Sequence, residues 1–407
     1  MTAQRSLWPW SLFAALIASA GLPIYIHAPK FYVDSYGVSL VALGVVLFGL
    51  RLLDVVQDPV LGWLAERGRA YRGAIVAGAA MVMAFAMIGL FAVPPMLPPL
   101  WWFGLMLTGL FSSFSLLTIC FYAQGVARAT SLPGGHLQLA SWRESGALLG
   151  ISAAAVAPAV LGVMMARPFT GFAIGFAVLC VAGVLAMQAE WGGERAETEP
   201  SAFAVLADPM ARQFLLLAMV NAAPVAVTST LFLFFVESRI GTPDLAGPLL
   251  LLFFLAAAVT APLWGKMAAR FGQRHTLMAG MVLAIVAFAF ALRLGTGDVV
   301  AFALISAASG AALAADMVLL PALFARHLST QKRGEAMGFG LWSFASKITL
   351  AFAALTLFPI LEAQGFQSGQ TNTDQALQAL TLLYAGLPCV LKLFAIGLLA
   401  RTPIIEG

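Results

Sequence analysis

The sequence predicts an all-α polytopic membrane protein with twelve transmembrane helices. The chain has 407 residues, of which 61% are hydrophobic and only 10% charged, and its mean hydropathy is +0.94. Soluble domains carry about 25% charged residues. The apolar residues form runs of about 20, the length that an α-helix needs to cross the hydrocarbon core. Lys and Arg gather at alternate ends of these runs, as they do in multi-pass membrane proteins.

The twelve spans are separated by charged residues and by clusters of Pro and Gly. One connection is long and hydrophilic, EWGGERAETEP (190–200), and it divides the spans into six and six. The sequence therefore predicts an N-terminal six-helix half over 1–189, a cytoplasmic linker over 190–211 and a C-terminal six-helix half over 212–407. The predicted spans are 8–30, 39–64, 73–94, 100–127, 137–165, 168–189, 212–237, 246–268, 275–294, 298–324, 335–361 and 376–400.

The distribution of Lys and Arg predicts the orientation, because these residues are retained on the cytoplasmic side. One set of helix ends carries fourteen of the 22, the opposite set carries four, and four lie inside spans. Both termini and the linker are therefore expected in the cytoplasm of a bacterial cell, with the helices in its inner membrane. An even number of spans requires both termini on one side, in agreement with the charges.

The two halves repeat a short motif at the end of their second helices. PVLGWLAER (59–67) and PLWGKMAAR (262–270) share the pattern P-x-x-G-x-x-A-x-R. Parallel repeats build one class of secondary transporter, with the substrate at the interface of the halves. The alternative explanation is that the match arises by chance, because small residues and Pro are common at helix ends.

The second span carries charges that most spans avoid. Arg51, Asp54 and Asp58 have spacings of three and four residues, which places them on one helix face. A charge in mid-span costs about 2.5–3.5 kcal/mol and normally faces a cavity or a partner. Two carboxylates one turn apart raise each other's proton affinity or share a monovalent cation. The alternative, an internal Arg–Asp pair that holds helices together, leaves the second Asp without a purpose.

Several segments carry a resemblance to a known family. KFYVDSYGVS (30–39), RLLDVVQDPVLGWLAERGRAYRG (51–73), WRESGALLG (142–150) and the stretch 314–347 resemble the glycoside–pentoside–hexuronide:cation symporters. This is the group of melibiose permease within the major facilitator superfamily, and FGQRH (271–275) resembles the signature of that superfamily after helix 8. The resemblance implies the major facilitator fold and symport of a small organic or amphiphilic solute by alternating access.

The resemblance also implies roles for individual residues. Asp54 and Asp58 match the carboxylates of the family's cation site, Lys347 the helix 11 lysine near that site, and Arg143 the helix 5 arginine. Lys347 also lies in the middle of its span, where snorkelling to an interface is a poor explanation. Glu144 is expected to be the local partner of Arg143.

The sequence departs from the family at three positions. The family's sugar-binding carboxylates on helices 1 and 4 fall near Ala18 and Ile119, so a galactoside held by paired carboxylates is not expected. Gln57 stands where the family often has Asn, which favours H+ over Na+ and leaves both open.

Other polar and aromatic residues inside the spans are weaker candidates. Arg51, Tyr25, Tyr122 and Trp342 are assigned to the polar centre or the substrate cavity, with packing as the alternative for the aromatic residues. Two further intramembrane charges, Asp316 and Lys392, are either functional or paired with a neighbour.

The alternatives to a symporter are a uniporter, exporter or lipid transporter of the same fold, whose carboxylates are structural, and a membrane-embedded enzyme. The sequence contains no G-x-S-x-G elbow, phosphate loop or intramembrane metal cluster, so we do not expect an enzyme. No cofactor is expected beyond the coupling ion. The expected partners are the solute, the cation and the lipid bilayer, with no nucleic acid, and the chain is expected to be a monomer.

The orientation is testable with one engineered cysteine. In a variant without the native cysteines, a cysteine at Ala196 is expected to resist an impermeant thiol reagent added outside intact cells, because the linker is cytoplasmic. Labelling is measured by gel shift, and permeabilised cells provide the positive control. Rapid labelling in intact cells would reverse the predicted orientation.

Overall fold

The described part of the chain is almost entirely helical. The computed structural model describes residues 6–133, 135–191, 202–331, 335–367 and 371–402, and no strand occurs among them. Its α-helices are α1 (Trp8–Ser19), α2 (Leu22–Tyr36), α3 (Leu40–Arg67), α4 (Arg72–Phe91), α5 (Pro99–Ala129), α6 (Gly135–Met164), α7 (Pro168–Met187), α8 (Ala202–Leu206), α9 (Pro209–Phe234), α10 (Ala246–Phe271), α11 (Gln273–Ala291), α12 (Val299–Gln331), α13 (Glu335–Ala363), α14 (Asp374–Thr381) and α15 (Leu387–Arg401).

The helices match the predicted membrane-protein class. Nine helical segments within the described ranges are long and apolar enough to cross a membrane, and α1 is a shorter apolar helix. Each of the twelve predicted spans coincides with one or more of the helices α1–α7 and α9–α15. The all-α polytopic architecture is therefore confirmed.

The first predicted span is not one continuous helix, which corrects the prediction for residues 8–30. Helix α1 ends at Ser19, and α2 begins at Leu22 after Gly21, whose ψ of −118° is not helical. A Pro in the first turn of α2 explains the break, because its ring has no N–H and would clash with the carbonyl four residues earlier in a continuous helix.

The helices form two compact units. Unit 1 consists of Met1–Ala207 and Ala325–Phe344, and unit 2 consists of Asp208–Phe324 and Ala345–Gly407. The end of α12 and the first ten residues of α13 therefore belong to unit 1. The boundary at Ala207 falls within the predicted linker.

Unit 1 is built around a close contact between α1 and α6. A methyl group on Gly146 would overlap the Ser11 carbonyl oxygen, and one on Gly150 would overlap the Ala15 carbonyl oxygen. The two glycines are four residues apart, so they form one smooth strip on the face of α6, as in small-xxx-small helix pairs in membranes. Trp10 on α1 is completely buried.

Unit 2 is held by aromatic rings at two π-helical segments. One segment, Phe235–Ile240, extends α9, and the other, Leu382–Gly386, lies between α14 and α15. The rings of Phe235 and Tyr384 stack with centroids 4.1 Å apart and an interplanar angle of 14°. Both stacked rings therefore belong to π-helical turns, which are rare in proteins.

The strip of glycine on α6 gives a prediction about stability. Gly150→Ala is expected to lower the free energy of unfolding by about 1–3 kcal/mol, because the methyl group overlaps backbone and no rotamer change relieves it. Thermal unfolding of the purified protein measures the effect. Gly175→Ala on α7 is the control, since a methyl group there meets nothing within 4 Å. Equal stability of the two variants would contradict the packing.

Candidate functional site

Helix α3 turns its acidic face towards the interior of unit 1. Asp54 and Asp58 are 4% and 0% exposed, whereas Val56 and Val60 on other faces of the same helix are 69% and 60% exposed. This is the reverse of a helix in a soluble protein, where apolar faces are buried. The predicted placement of both carboxylates on one internal face of the helix is thus found in the structure.

Asp54 is connected to α5 through an amide. The Nε2 atom of Gln57 donates to Asp54 Oδ1 over 2.8 Å, and the Ser112 hydroxyl donates to Gln57 Oε1 over 2.8 Å. Gln57 is three residues after Asp54, so the two side chains meet on the same face of α3. A neutral chain of hydrogen bonds therefore orients this carboxylate.

Asp58 is connected to α13 through a hydroxyl. Ser343 Oγ donates to Asp58 Oδ2 over 2.5 Å. The helices come this close because they meet at glycines: a Cβ atom on Gly340 would lie 2.9 Å from the Asp58 carbonyl oxygen, and one on Gly62 would lie 3.1 Å from the Ala336 carbonyl oxygen. Any larger residue at Gly340 would push Ser343 away from the carboxylate.

The ends of α3 and α13 are also joined by charged groups. Glu66 accepts a hydrogen bond of 2.9 Å from the backbone N–H of Ala336, in the first turn of α13. Arg69 lies 3.1 Å from Glu335 and 3.5 Å from Glu66. A carboxylate at a helix N-terminus is favoured by the unpaired N–H groups and by the helix dipole. These contacts hold the beginning of α13 against the end of α3 within unit 1.

Arg143 belongs to a second polar cluster in unit 1. Its Nε atom donates to Glu144 over 2.8 Å, the Tyr122 hydroxyl donates to the same carboxylate over 2.8 Å, and the guanidinium lies 3.7 Å from the centre of the Tyr122 ring. The ring of Tyr122 in turn lies 5.0 Å from that of Phe339 on α13. Glu144 is thus the expected partner of Arg143, and the pair is almost completely buried.

The other predicted site residues have different positions. Trp342 is next to Ser343, and its ring lies 6.5 Å from that of Phe339. Lys347 lies one turn beyond Ser343 on α13, in the part of the helix that belongs to unit 2. The side chains of Tyr25 and Arg51 lie outside the described part of the structure.

Sequence analysis missed the neutral partners of the carboxylates, Ser112 and Ser343. Hydroxyls are common in membrane helices and carry no spacing signal, but the glycines shortly before Ser343 are a hint of close helix contact.

In the described ranges, no group of three or more His, Cys, Asp or Glu side chains could hold a metal. A monovalent cation here would take its ligands from two carboxylates and neutral oxygens, which suit hard cations.

Solved transporters share this fold. A bacterial homologue of the iron transporter ferroportin, crystallised in an outward-facing state, matches with a TM-score of 0.70 and 15% identity over 96% of this chain and 100% of that chain. The nucleoside transporter NupG matches with a TM-score of 0.62 and 14% identity over 96% and 98% of the two chains. At these identities the likeness shows the fold alone, which is that of the major facilitator superfamily.

The sequence itself identifies the family. The model of the MFS/sugar transport protein family matches residues 11–406, so the chain belongs to this family and is a membrane transporter of the major facilitator superfamily. The resemblance stated from the sequence is confirmed at this level. The family and the structural matches also indicate a transporter rather than an enzyme.

One curated relative matches part of the chain. A protein of Salmonella typhimurium (strain LT2) named "Putative sulfoquinovose importer" is 27% identical over 165 residues, which is 39% of this chain. The matched region spans 35% of the length of that relative.

The Arg143 cluster predicts unequal effects of two conservative substitutions. Glu144→Gln is expected to destabilise the protein by about 3–5 kcal/mol, because it leaves a buried guanidinium without its countercharge. Tyr122→Phe removes one neutral donor and is expected to cost about 1 kcal/mol. Thermal unfolding measures both, with Glu362→Gln at an exposed position as the control. The arrangement is wrong if Tyr122→Phe is the more damaging change.

Proposed function

We propose that this transporter is a symporter that couples the entry of H+ or Na+ to the uptake of a small organic or amphiphilic solute by alternating access. The observation that carries the proposal is the pair of buried carboxylates one turn apart on α3, Asp54 and Asp58. Buried charge is a poor means of stabilising a helix bundle, because apolar residues of similar size serve equally well. A role in ion binding explains why both acids are present.

The hydrogen bonds of the pair support this role. Gln57 donates a hydrogen bond to Asp54 and Ser343 donates one to Asp58, so neutral groups help to orient both carboxylates. Binding of a proton or of Na+ between them reduces the negative charge of the site. An ion that binds one conformation of the transporter more tightly than the other shifts the equilibrium towards that conformation, which couples the ion gradient to the conformational change. Ser343 lies on α13 and Asp58 on α3, so ion binding also acts on the contact between these two helices.

The class of solute is supported by the family and by the relative. The family description refers to sugar transport, and the name of the Salmonella relative refers to a sulfonated sugar. We therefore propose a sugar-type solute. Location in the bacterial inner membrane, cytoplasmic termini, a monomeric state and the participation of Lys347, Arg51 and Tyr25 in the polar centre remain predictions of the sequence.

Ion binding can be tested without knowledge of the solute. The thermal unfolding midpoint of the purified protein is measured as the Na+ concentration and the pH are varied separately. A ligand that binds only the folded state raises stability with concentration. The wild-type protein is expected to respond to its coupling ion, and Asp54→Asn and Asp58→Asn are each expected to lose that response at nearly unchanged volume. Asp34→Asn, at an exposed position on α2, is the matched control.

Transport in proteoliposomes completes the test. Under an imposed gradient of the coupling ion, both variants are expected to lose uphill accumulation of a transported sugar and to retain energy-independent exchange. If the ion is H+, accumulation by the wild-type protein falls as the external pH rises. Wild-type accumulation by both single variants would mean that the carboxylates are structural, and the chain would then be a uniporter, an exporter or a lipid transporter of this fold.

A further inference from the structure

Unit 2 contains a buried charged cluster that the α3 site does not use. Lys392 Nζ on α15 donates to Asn221 Oδ1 on α9 over 2.6 Å and pairs with Asp316 Oδ2 on α12. The three side chains are 3%, 4% and 8% exposed, respectively. Each residue also lies well inside its helix, away from the ends where charged side chains reach water.

Stability alone is a weak explanation for this cluster. An ionisable side chain inside a span costs about 2.5–3.5 kcal/mol, and a buried ion pair is often replaced by apolar residues without loss of stability. Intramembrane charges therefore mark functional sites more often than they mark scaffolding. Unit 2 has a second means of cohesion in the stacked rings of Phe235 and Tyr384.

The hydrogen-bonding capacity of the cluster is not filled. Asp316 Oδ1 is buried and accepts no hydrogen bond within the described part of the protein. The Lys392 ammonium has three N–H donors, and its hydrogen bonds within the described ranges go to Asn221 and Asp316. The cluster therefore offers one strong acceptor beside one donor. An unfilled charged acceptor is costly in an apolar surrounding, so it favours a ligand that donates to it.

Two prolines leave backbone carbonyls beside the cluster without their helical hydrogen-bond donors. Pro224 follows Val220 by four residues on α9, and Pro321 follows Met317 by four residues on α12. A proline has no N–H to donate to the carbonyl four residues earlier. The two carbonyls are those of Val220 and Met317, which are directly next to Asn221 and Asp316 in the chain. Each of them lacks the N–H donor that a regular helix would supply.

The charge of the cluster restricts the ligand. Asp316 repels an anion and Lys392 repels a cation, and together they are neutral, so neither charged class gains from entering. A hydroxyl group is neutral, and it donates one hydrogen bond and accepts others. It therefore matches the acceptor at Asp316 and the donor at Lys392 together.

We infer that Asp316, Lys392 and Asn221 form a binding site for a hydroxyl group of the transported solute, and that the part of the solute bound there carries no charge. The inference rests on the proposed transport of a sugar-type solute. The site is distinct from the ion site, because the carboxylates of α3 belong to unit 1 and this cluster belongs to unit 2.

The test replaces both charges together, because removal of one partner leaves an unpaired buried charge. Asp316→Leu with Lys392→Met replaces both side chains by apolar ones of similar length and removes the hydrogen bonds of the two charged groups. Binding of D-glucose, D-galactose, D-xylose, myo-inositol and sulfoquinovose to the purified protein is measured by titration of the unfolding midpoint. At least one compound is expected to bind the wild-type protein, and to bind the double variant about ten- to a hundredfold more weakly. Asp244→Asn, at an exposed position, is the matched control.

Monodeoxy analogues of the bound compound then locate the hydroxyl. Loss of the recognised hydroxyl is expected to weaken binding to the wild-type protein and to have a much smaller effect in the double variant, which retains only Asn221 of the site; this non-additivity is the signature of a direct contact. Should the apolar variant not fold, Asp316→Asn with Lys392→Gln takes its place, and partial binding is expected because neutral partners remain.

Two results would overturn the inference: equal binding of a compound by the wild-type protein and the double variant, or no response of the wild-type protein to any of the five compounds. The response to Na+ and pH is measured on the same preparations. If the wild-type protein responds to the ion and Asp58→Asn loses that response, while either overturning result is obtained for sugar binding, only the inference about Asp316 is wrong. If the ion response is absent, the proposed symport fails independently of the hydroxyl site.

Discussion

The structure depends on one constraint: a charged side chain among apolar helices must meet a partner within reach, because neither water nor lipid tails can stabilise it. In unit 1, Arg143 meets Glu144, and in unit 2, Lys392 meets Asp316. Tyr122 on α5 also donates to Glu144 on α6, and the pair Lys392–Asp316 joins α15 to α12. These contacts between helices fix how the helices are rotated, since a turn of either one would break the contact. Rotation is otherwise poorly specified in helices that are apolar on nearly every face.

Close helix contact is what makes these partners reachable. A serine hydroxyl extends only a short distance, and Ser343 reaches Asp58 because α3 and α13 meet at Gly62 and Gly340. The same principle brings α1 against α6. Small residues thus do two things in this protein, since they supply packing where no hydrophobic effect acts between helices, and they position short polar side chains.

The two units carry different chemistry on similar helices. Unit 1 has two buried acids on α3, and unit 2 has the buried pair Asp316–Lys392, whose formal charges cancel. A variable charge suits coupling to an ion gradient, and a neutral pair with open hydrogen-bonding capacity suits recognition of an uncharged polar group. α10, whose repeat motif matches that of α3, contains no Asp or Glu.

The sequence by itself determined the helical class, the twelve apolar segments, the common face of Asp54 and Asp58, and the family, because all of these are written in local spacing and composition. The tertiary structure decided the break between α1 and α2 and every partner that lies far away in the chain. Ser343 is 285 residues from Asp58, and Lys392 is 76 residues from Asp316. Such pairs depend on how each helix is rotated and how closely it packs. A uniformly apolar helix carries too little periodicity to show its rotation in advance, so only the assembled bundle reveals which side chains meet.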